Sequence, residues 1–273
     1  MALPTQGSAM RSPESLAADR LHLAQSSGIP CAPVRDLLGT DDVELAYRAQ
    51  RIGVGRRIAA GDRIVGRKIG LTSPAVQKQL GVDRPDFGVL FAAMDVSGLD
   101  EVPFDGLLQP KVEAEIAFRL GADLTGPDFD PAVVRAAVSN AEAAVEIVDS
   151  RIAGWDISFA DTVADNASSA LFVLSGHPVS MAEVEPAEVV MRMTVDGEPV
   201  SAGTGRDCLG DPLNALAWLA RTAADLGDPL RAGQVVLSGA LGRMVAVGPY
   251  ERAHAEISSL GSVDVVFGGK DRV

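Results

Sequence analysis

Cysteine is almost missing from this chain. Cys31 and Cys208 are the only two in 273 residues, and they are far apart with no Cys-x-x-Cys or zinc spacing around either. A disulfide framework is excluded and a reduced, cytoplasmic setting is expected. Positive charge is also scarce, with 24 basic against 37 acidic residues and a net charge of −13. A nucleic-acid binder would carry a basic stripe, and none is present; an anionic membrane surface is disfavoured for the same reason. No apolar run is long enough to span a bilayer, and the first residues, Met-Ala-Leu-Pro-Thr-Gln-Gly-Ser, lack the apolar core of a signal peptide. A soluble intracellular protein is expected. No Gly-x-Gly-x-x-Gly or phosphate-loop pattern follows a strand, which argues against a dinucleotide fold or a P-loop. Gly-x-Ser-x-Gly and His-Glu-x-x-His are missing too. His22, His177 and His254 all lie far in sequence from the acidic positions discussed below, so no histidine-based general base is suggested.

Length and an apolar fraction of 47% provide for one large or two modest domains with a real core. Ser12-Pro13-Glu14 opens a helix to about Ser26, and a second helix is expected from about Asp41 to Ala60, with acids at its start and Arg56, Arg57 and Gly61 at its end. Arg63 to Gly70 reads as a strand, and Ser73-Pro74 as the start of a short helix that stops at Gly81. Val112, Ala114, Ile116, Phe118 and Leu120 alternate strictly, the mark of a half-buried strand. Asp130-Pro131 predicts a helix to about Val145. Met191 to Val195 alternates up to Asp196-Gly197, a type I′ hairpin signal. A further helix runs from Asp211-Pro212 to Gly227, and several strands follow from Gln234 to Phe267. The expected class is α+β: a flexible segment 1–11, a helical region 12–62 and a strand-rich catalytic domain 63–273.

Glu113 and Glu115 stand two apart on a strand, so both carboxylates project from one face. They either face water alongside Lys111 and Arg119, or supply two oxygen ligands to a hard divalent cation such as Mg²⁺ or Mn²⁺. Glu146, in the apolar run Ala-Val-Glu-Ile-Val, is the natural third carboxylate, unless it caps a helix end in solvent. Glu142, one turn earlier, is expected to be solvated. Lys68 shares a strand face with Ile64 and Gly66. Burial there would depress its pKa toward neutrality, whereas an edge position would leave it an ordinary solvated lysine. In a chain this acidic, an acidic ligand would need a metal or a placed lysine to overcome repulsion.

Several separated motifs carry a resemblance. Gly66-Arg-Lys-Ile-Gly-Leu-Thr-Ser73, Gln79-Leu-Gly-Val-Asp-Arg-Pro-Asp-Phe-Gly88 and Gln109-Pro-Lys-Val-Glu-Ala-Glu-Ile116 resemble the 2-keto-4-pentenoate hydratase family. So do Ser150-Arg-Ile-Ala-Gly-Trp155, Asp161-Thr-Val-Ala-Asp-Asn-Ala-Ser168 and Gly239-Ala-Leu-Gly242, and the likeness runs from about residue 12 to the end. The resemblance implies the mixed sheet, or β-roll, of the fumarylacetoacetate-hydrolase C-terminal type. It implies that Glu113, Glu115 and Glu146 hold Mg²⁺ or Mn²⁺, that Lys68 and Asp86 are catalytic, and that Leu71, Asp165, Asn166, Ser168 and Ser238 bind substrate. One departure is Ser238-Gly-Ala-Leu-Gly-Arg243 where the family pattern reads Thr-Gly-Ala-Leu-Gly-Pro. The implied activity is hydration of 2-hydroxypenta-2,4-dienoate to 4-hydroxy-2-oxopentanoate in the meta-cleavage breakdown of aromatic compounds. Decarboxylation of 4-oxalocrotonate by the same site is the alternative. A C–C bond hydrolase or a non-catalytic partner subunit fits less well, because the metal carboxylates and Lys68 are intact and no histidine stands near them. A pentamer-based homo-oligomer, in possible complex with a neighbouring pathway enzyme, is also implied.

Overall fold

The computed structural model describes residues 11–73, 77 and 84–269. The segment 1–11, but for its last residue, and most of the helix expected from Ser73 to Gly81 lie outside them. Helix α1 (Pro13–Ser27) begins with proline in its first turn and ends on left-handed Gly28. After the short α2 (Arg35–Leu38), α3 (Val43–Ala59) is capped by Asp42, whose carboxylate accepts from the Leu45 N–H, and it runs unbroken through Gly53 and Gly55.

The rest is built on strands. β1 (Ile64–Gly70), β2 (Asp86–Phe91), β3 (Lys111–Leu120), β4 (Val138–Val148), β5 (Ser169–Leu174), β6 (Val179–Ser180), β7 (Val190–Val195), β8 (Glu198–Thr204), β9 (Val235–Leu237), β10 (Val245–Ala246), β11 (Arg252–Ile257) and β12 (Gly261–Val266) form two sheets. The larger has the order β2-β1-β9-β3-β4-β5, with β10 beside β3 and β6 beside β4; the smaller has the order β12-β11-β7-β8. The pairing of β1 with β9 is parallel and the other named pairs are antiparallel, so the large sheet is mixed. β11 and β12 pack on β4, and the apolar faces of both sheets fuse into one core containing Ile116, Phe118, Ile147, Met191 and Ile257. Asp196 and Gly197 both have positive φ between β7 and β8, as a type I′ turn requires.

One expectation is overturned here. The helix after Asp130 stops at Ala137, and residues 138–148 are strand. Val134, Ala137, Val138 and Ala141 have helical spacing, but β4 hydrogen-bonds to β3 on one side and β5 on the other. That double ladder outweighs the modest helix preference of its alanines. The helix-end reading of Glu146 goes with it. Glu142 is not solvated either: it is buried, accepts from the Gly176 N–H at 2.9 Å and lies 3.9 Å from Arg119.

Candidate active site

The long β3–β4 hairpin places the acids. Glu113 and Glu115 share a face of β3, and Glu146 of β4 stands directly opposite Glu113 in the register. One carboxylate oxygen from each lies within 4.8 Å of the others. Glu146 is 0% exposed, Glu115 1%, and Glu113 half-buried, so this face does not look out on water. Neither oxygen of Glu146 has a hydrogen-bond partner among the described residues. Glu115 accepts from the Gly239 N–H at 2.8 Å. Three carboxylates converging in this way, two of them fully buried, are unstable unless a proton or a cation sits between them. Burial is the main force on each. It raises the pKa of Glu113 to about 7, with repulsion from Glu146 and Asp86 adding to it and Lys68 opposing. Burial, then Glu146 and Glu113, raise Glu115 well above the carboxylate range. Glu146 is raised by burial against the pull of Lys68. An all-oxygen donor set whose fully buried Glu146 accepts no hydrogen bond among the described residues and meets the Lys68 ammonium at 3.2 Å fits a hard divalent cation.

Lys68 is 3% exposed on β1, with its Nζ 3.2 Å from Glu146 and donating to the Ala167 carbonyl at 2.9 Å. The expected depression of its pKa does not occur. Burial does work against the ammonium, but Glu146, Asp86, Glu113 and Glu115 together outweigh it, and the pKa is raised. Lys68 is therefore held as an ammonium. Asp86 opens β2 and pairs across the ladder with Gly70. Its Oδ2 accepts from the Thr162 hydroxyl at 3.1 Å, while its buried Oδ1 has no hydrogen-bond partner among the described residues. Burial raises its pKa against Lys68 and Thr162. Gly70 leaves the space for that carboxylate: a Cβ there would meet Asp86 Oδ1 at 2.2 Å.

The remaining residues implied by the resemblance divide. Asp165 is buried in an ion pair with Arg151 and also accepts from the Arg151 N–H at 3.0 Å; burial raises its pKa and Arg151 opposes. Asn166 spends its side-chain amide on Val89, accepting from the N–H at 2.8 Å and donating to the C=O at 3.0 Å. Asn166, Ala167 and Ser168 all have φ near +50°, a strained run that turns the Ala167 carbonyl onto Lys68. Ser168 donates weakly to Asp165 at 3.5 Å. Ser238 is buried, and its hydroxyl accepts from Ile116 and donates to Gly239, so it is engaged by backbone. Leu71 also has positive φ, and its carbonyl accepts from the Gln77 side chain. Arg243 is exposed and donates to the Val200 carbonyl. A cavity of about 780 Å³ is lined by residues of α1 and α3 and by Arg151, Asp165 and Asn166, and by none of Lys68, Asp86 or the three glutamates.

Thr162, the Gly239 amide and Arg151 escaped sequence reasoning. All three lay in matched motifs, but which partner each would meet across the fold was not legible in the sequence.

The family model for the fumarylacetoacetate hydrolase C-terminal domain matches residues 82–267. A 2-keto-4-pentenoate hydratase from Burkholderia vietnamiensis is 54% identical over 92% of this chain and 95% of its own length. A 2-hydroxyhexa-2,4-dienoate hydratase from Comamonas testosteroni is 39% identical over 91% and 95%. Among solved structures, a 4-oxalocrotonate decarboxylase from Pseudomonas putida G7, complexed with magnesium and adipate, superposes with a TM-score of 0.89 at 33% identity, covering 93% of this chain and 97% of that one.

Proposed function

The chain belongs to the 2-keto-4-pentenoate hydratase family, on the fumarylacetoacetate-hydrolase fold, and from that premise we propose the working of its site. The reaction is addition of water to 2-hydroxypenta-2,4-dienoate, giving 4-hydroxy-2-oxopentanoate, and relatives at 51–54% identity named as hydratases support it. The observation that carries it is the Glu113–Glu115–Glu146 cluster with the Lys68 ammonium 3.2 Å from Glu146.

Glu113, Glu115 and Glu146 would hold Mg²⁺ or Mn²⁺, which supplies Lewis-acid polarisation of the substrate's oxygens and cancels charge that would repel a carboxylate. Lys68 gives its proton to C5 and is reprotonated by the proton that the substrate loses at its C2 hydroxyl. Its raised pKa keeps that proton in place until a carbon accepts it, and the Ala167 carbonyl fixes the direction of Nζ. The resulting enone is electrophilic at C4. Asp86 Oδ1, buried and without a hydrogen-bond partner among the described residues, accepts the proton of the water that adds there and returns it to C3, and its raised pKa makes it a better base near neutrality. Thr162 holds the other oxygen of Asp86. Asp165 and Asn166 support the strained turn behind Lys68 and make no contact with the glutamates. The same reading includes a pentamer-based homo-oligomer and a cytoplasmic setting; two unpaired cysteines are consistent with the latter.

The test is turnover of the dienol by wild type and Lys68→Met, with Mn²⁺ or with chelator. Ion-dependent hydration in wild type, reduced by about 10³-fold in the variant, is expected. Release of CO₂ from 4-oxalocrotonate without hydration of the dienol would replace the hydratase by the decarboxylase, and equal rates in all samples would refute both.

A further inference from the structure

Lys111 is the residue of β3 next along the face that carries Glu113 and Glu115. Across the ladder Lys68 is level with Leu237, and Leu237 with Ala117 of β3. The backbones of Lys68 and Lys111 therefore lie about 20 Å apart along the strand, while the Lys68 side chain reaches in to Glu146, opposite Glu113. Lys111 is half-buried, yet among the described residues its ammonium donates no hydrogen bond and has no carboxylate within ion-pair distance. It lies 4.1 Å from the centre of the Trp155 ring. Its charge and that of Glu113 act on one another, which puts it at the edge of the cluster.

The Trp155 platform is built at a cost. Its φ is +57°, following Gly154 at +66°, a conformation unfavourable for so bulky a side chain. Gln109 holds it there. The Gln109 carbonyl accepts from the indole Nε1 at 3.1 Å, its amide donates to the carbonyls of Ser150 and Ile152, and its side-chain oxygen accepts from the Gly154 N–H. This strained loop supports a cation that no described residue neutralises.

We propose that Lys111, seated on Trp155, is the residue that receives the carboxylate of the 2-oxo or 2-hydroxy acid. The inference rests on the function proposed above, and its geometry follows from one constraint. The carbons that gain the proton and the water must lie beside Asp86 and the Lys68 ammonium, which sits against Glu146, so the carboxylate end of the substrate is left to the far side of Glu113. Lys111 stands there. An ammonium whose solvent shell is partly replaced by an indole face gains more from an incoming carboxylate than a fully hydrated one does. Lys111 and Trp155 thus select for an acid at the chelating end of the substrate, while Lys68 and Asp86 act on the other end.

The test uses Mn²⁺-loaded protein carrying Trp218→Phe, so that Trp155 is the sole indole. Indole fluorescence is followed on titration with 2-oxopentanoate and, separately, with 2,3-pentanedione, which has the same vicinal oxygens and no charge. Lys111→Met is expected to weaken 2-oxopentanoate by roughly 10- to 100-fold, the range of one charge-assisted hydrogen bond, and to leave the dione unchanged. Lys111→Arg should recover most of the loss. Mn²⁺ affinity, read by electron paramagnetic resonance, should be no weaker in Lys111→Met than in its parent. Equal affinity of parent and Lys111→Met for 2-oxopentanoate, an equal loss for the dione, or loss of Mn²⁺ would each overturn the proposal. Failure of the Mn²⁺-loaded parent to bind 2-oxopentanoate at all would overturn the underlying function as well.

Discussion

Replacing Glu115 by glutamine should make the ion-free protein more stable while abolishing its response to the ion. Glu115, Glu113 and Glu146 present oxygens within 4.8 Å of one another, with Lys68 as the nearby cation. At an effective dielectric constant near 20, two unit charges at that separation repel by about 3.5 kcal/mol. Partial protonation and the lost attraction to Lys68 reduce the gain from removing one of them to about 1–3 kcal/mol at pH 8. Glutamine retains an oxygen for the Gly239 N–H, so little else is lost. At roughly 2–4 °C per kcal/mol for a domain of this size, Glu115→Gln should melt about 2–12 °C above wild type in chelator. Mn²⁺ at a hundred times its dissociation constant stabilises wild type by about 2.7 kcal/mol, or roughly 5–10 °C, and the variant not at all. Without the ion, then, the variant is the more stable protein; saturating Mn²⁺ closes or inverts that gap. Thermal denaturation at pH 8, with chelator and with Mn²⁺, measures all four values. A wild-type midpoint indifferent to Mn²⁺, or a shift of the same size in Glu115→Gln, would refute the assignment of these carboxylates to a cation.

Two more expectations concern pH and shape. Ion binding displaces protons from the glutamates, so affinity should rise with pH through about 7, where Glu113 titrates. From pH 8 to pH 5.5 that residue alone should weaken Mn²⁺ by roughly 30-fold in a calorimetric titration, and a flat profile would contradict it. In the ion-free protein the same upward shift has the opposite sign: its contribution to stability is complete below about pH 4.5 and is lost as the pH rises through 7. Gly70→Ala would place a methyl 2.2 Å from Asp86 Oδ1 and 3.6 Å from Lys68 Nζ. Displacement of Asp86 should lower kcat at least tenfold, on the order of the general acid–base contribution, with Mn²⁺ affinity changed less than twofold; an unaltered kcat would remove Asp86 from the reaction.

Much of this protein is determined by local pattern. The strict alternation from Val112 to Leu120 has a period of two, which commits β3 to a strand and its two glutamates to one face wherever the strand is placed. Pro13, the Asp42 cap and Asp196-Gly197 act over a few residues, and the structure follows them. Tertiary structure decided what depends on partners distant along the chain. Residues 138–148 have helical and strand spacing at once, and the ladders to β3 and β5 select the strand; that choice brings Glu146 opposite Glu113. The sign of the Lys68 shift is likewise non-local. Burial by itself lowers a lysine pKa, and only the convergence of four acids around one ammonium reverses it, because charge interactions depend on distance in space.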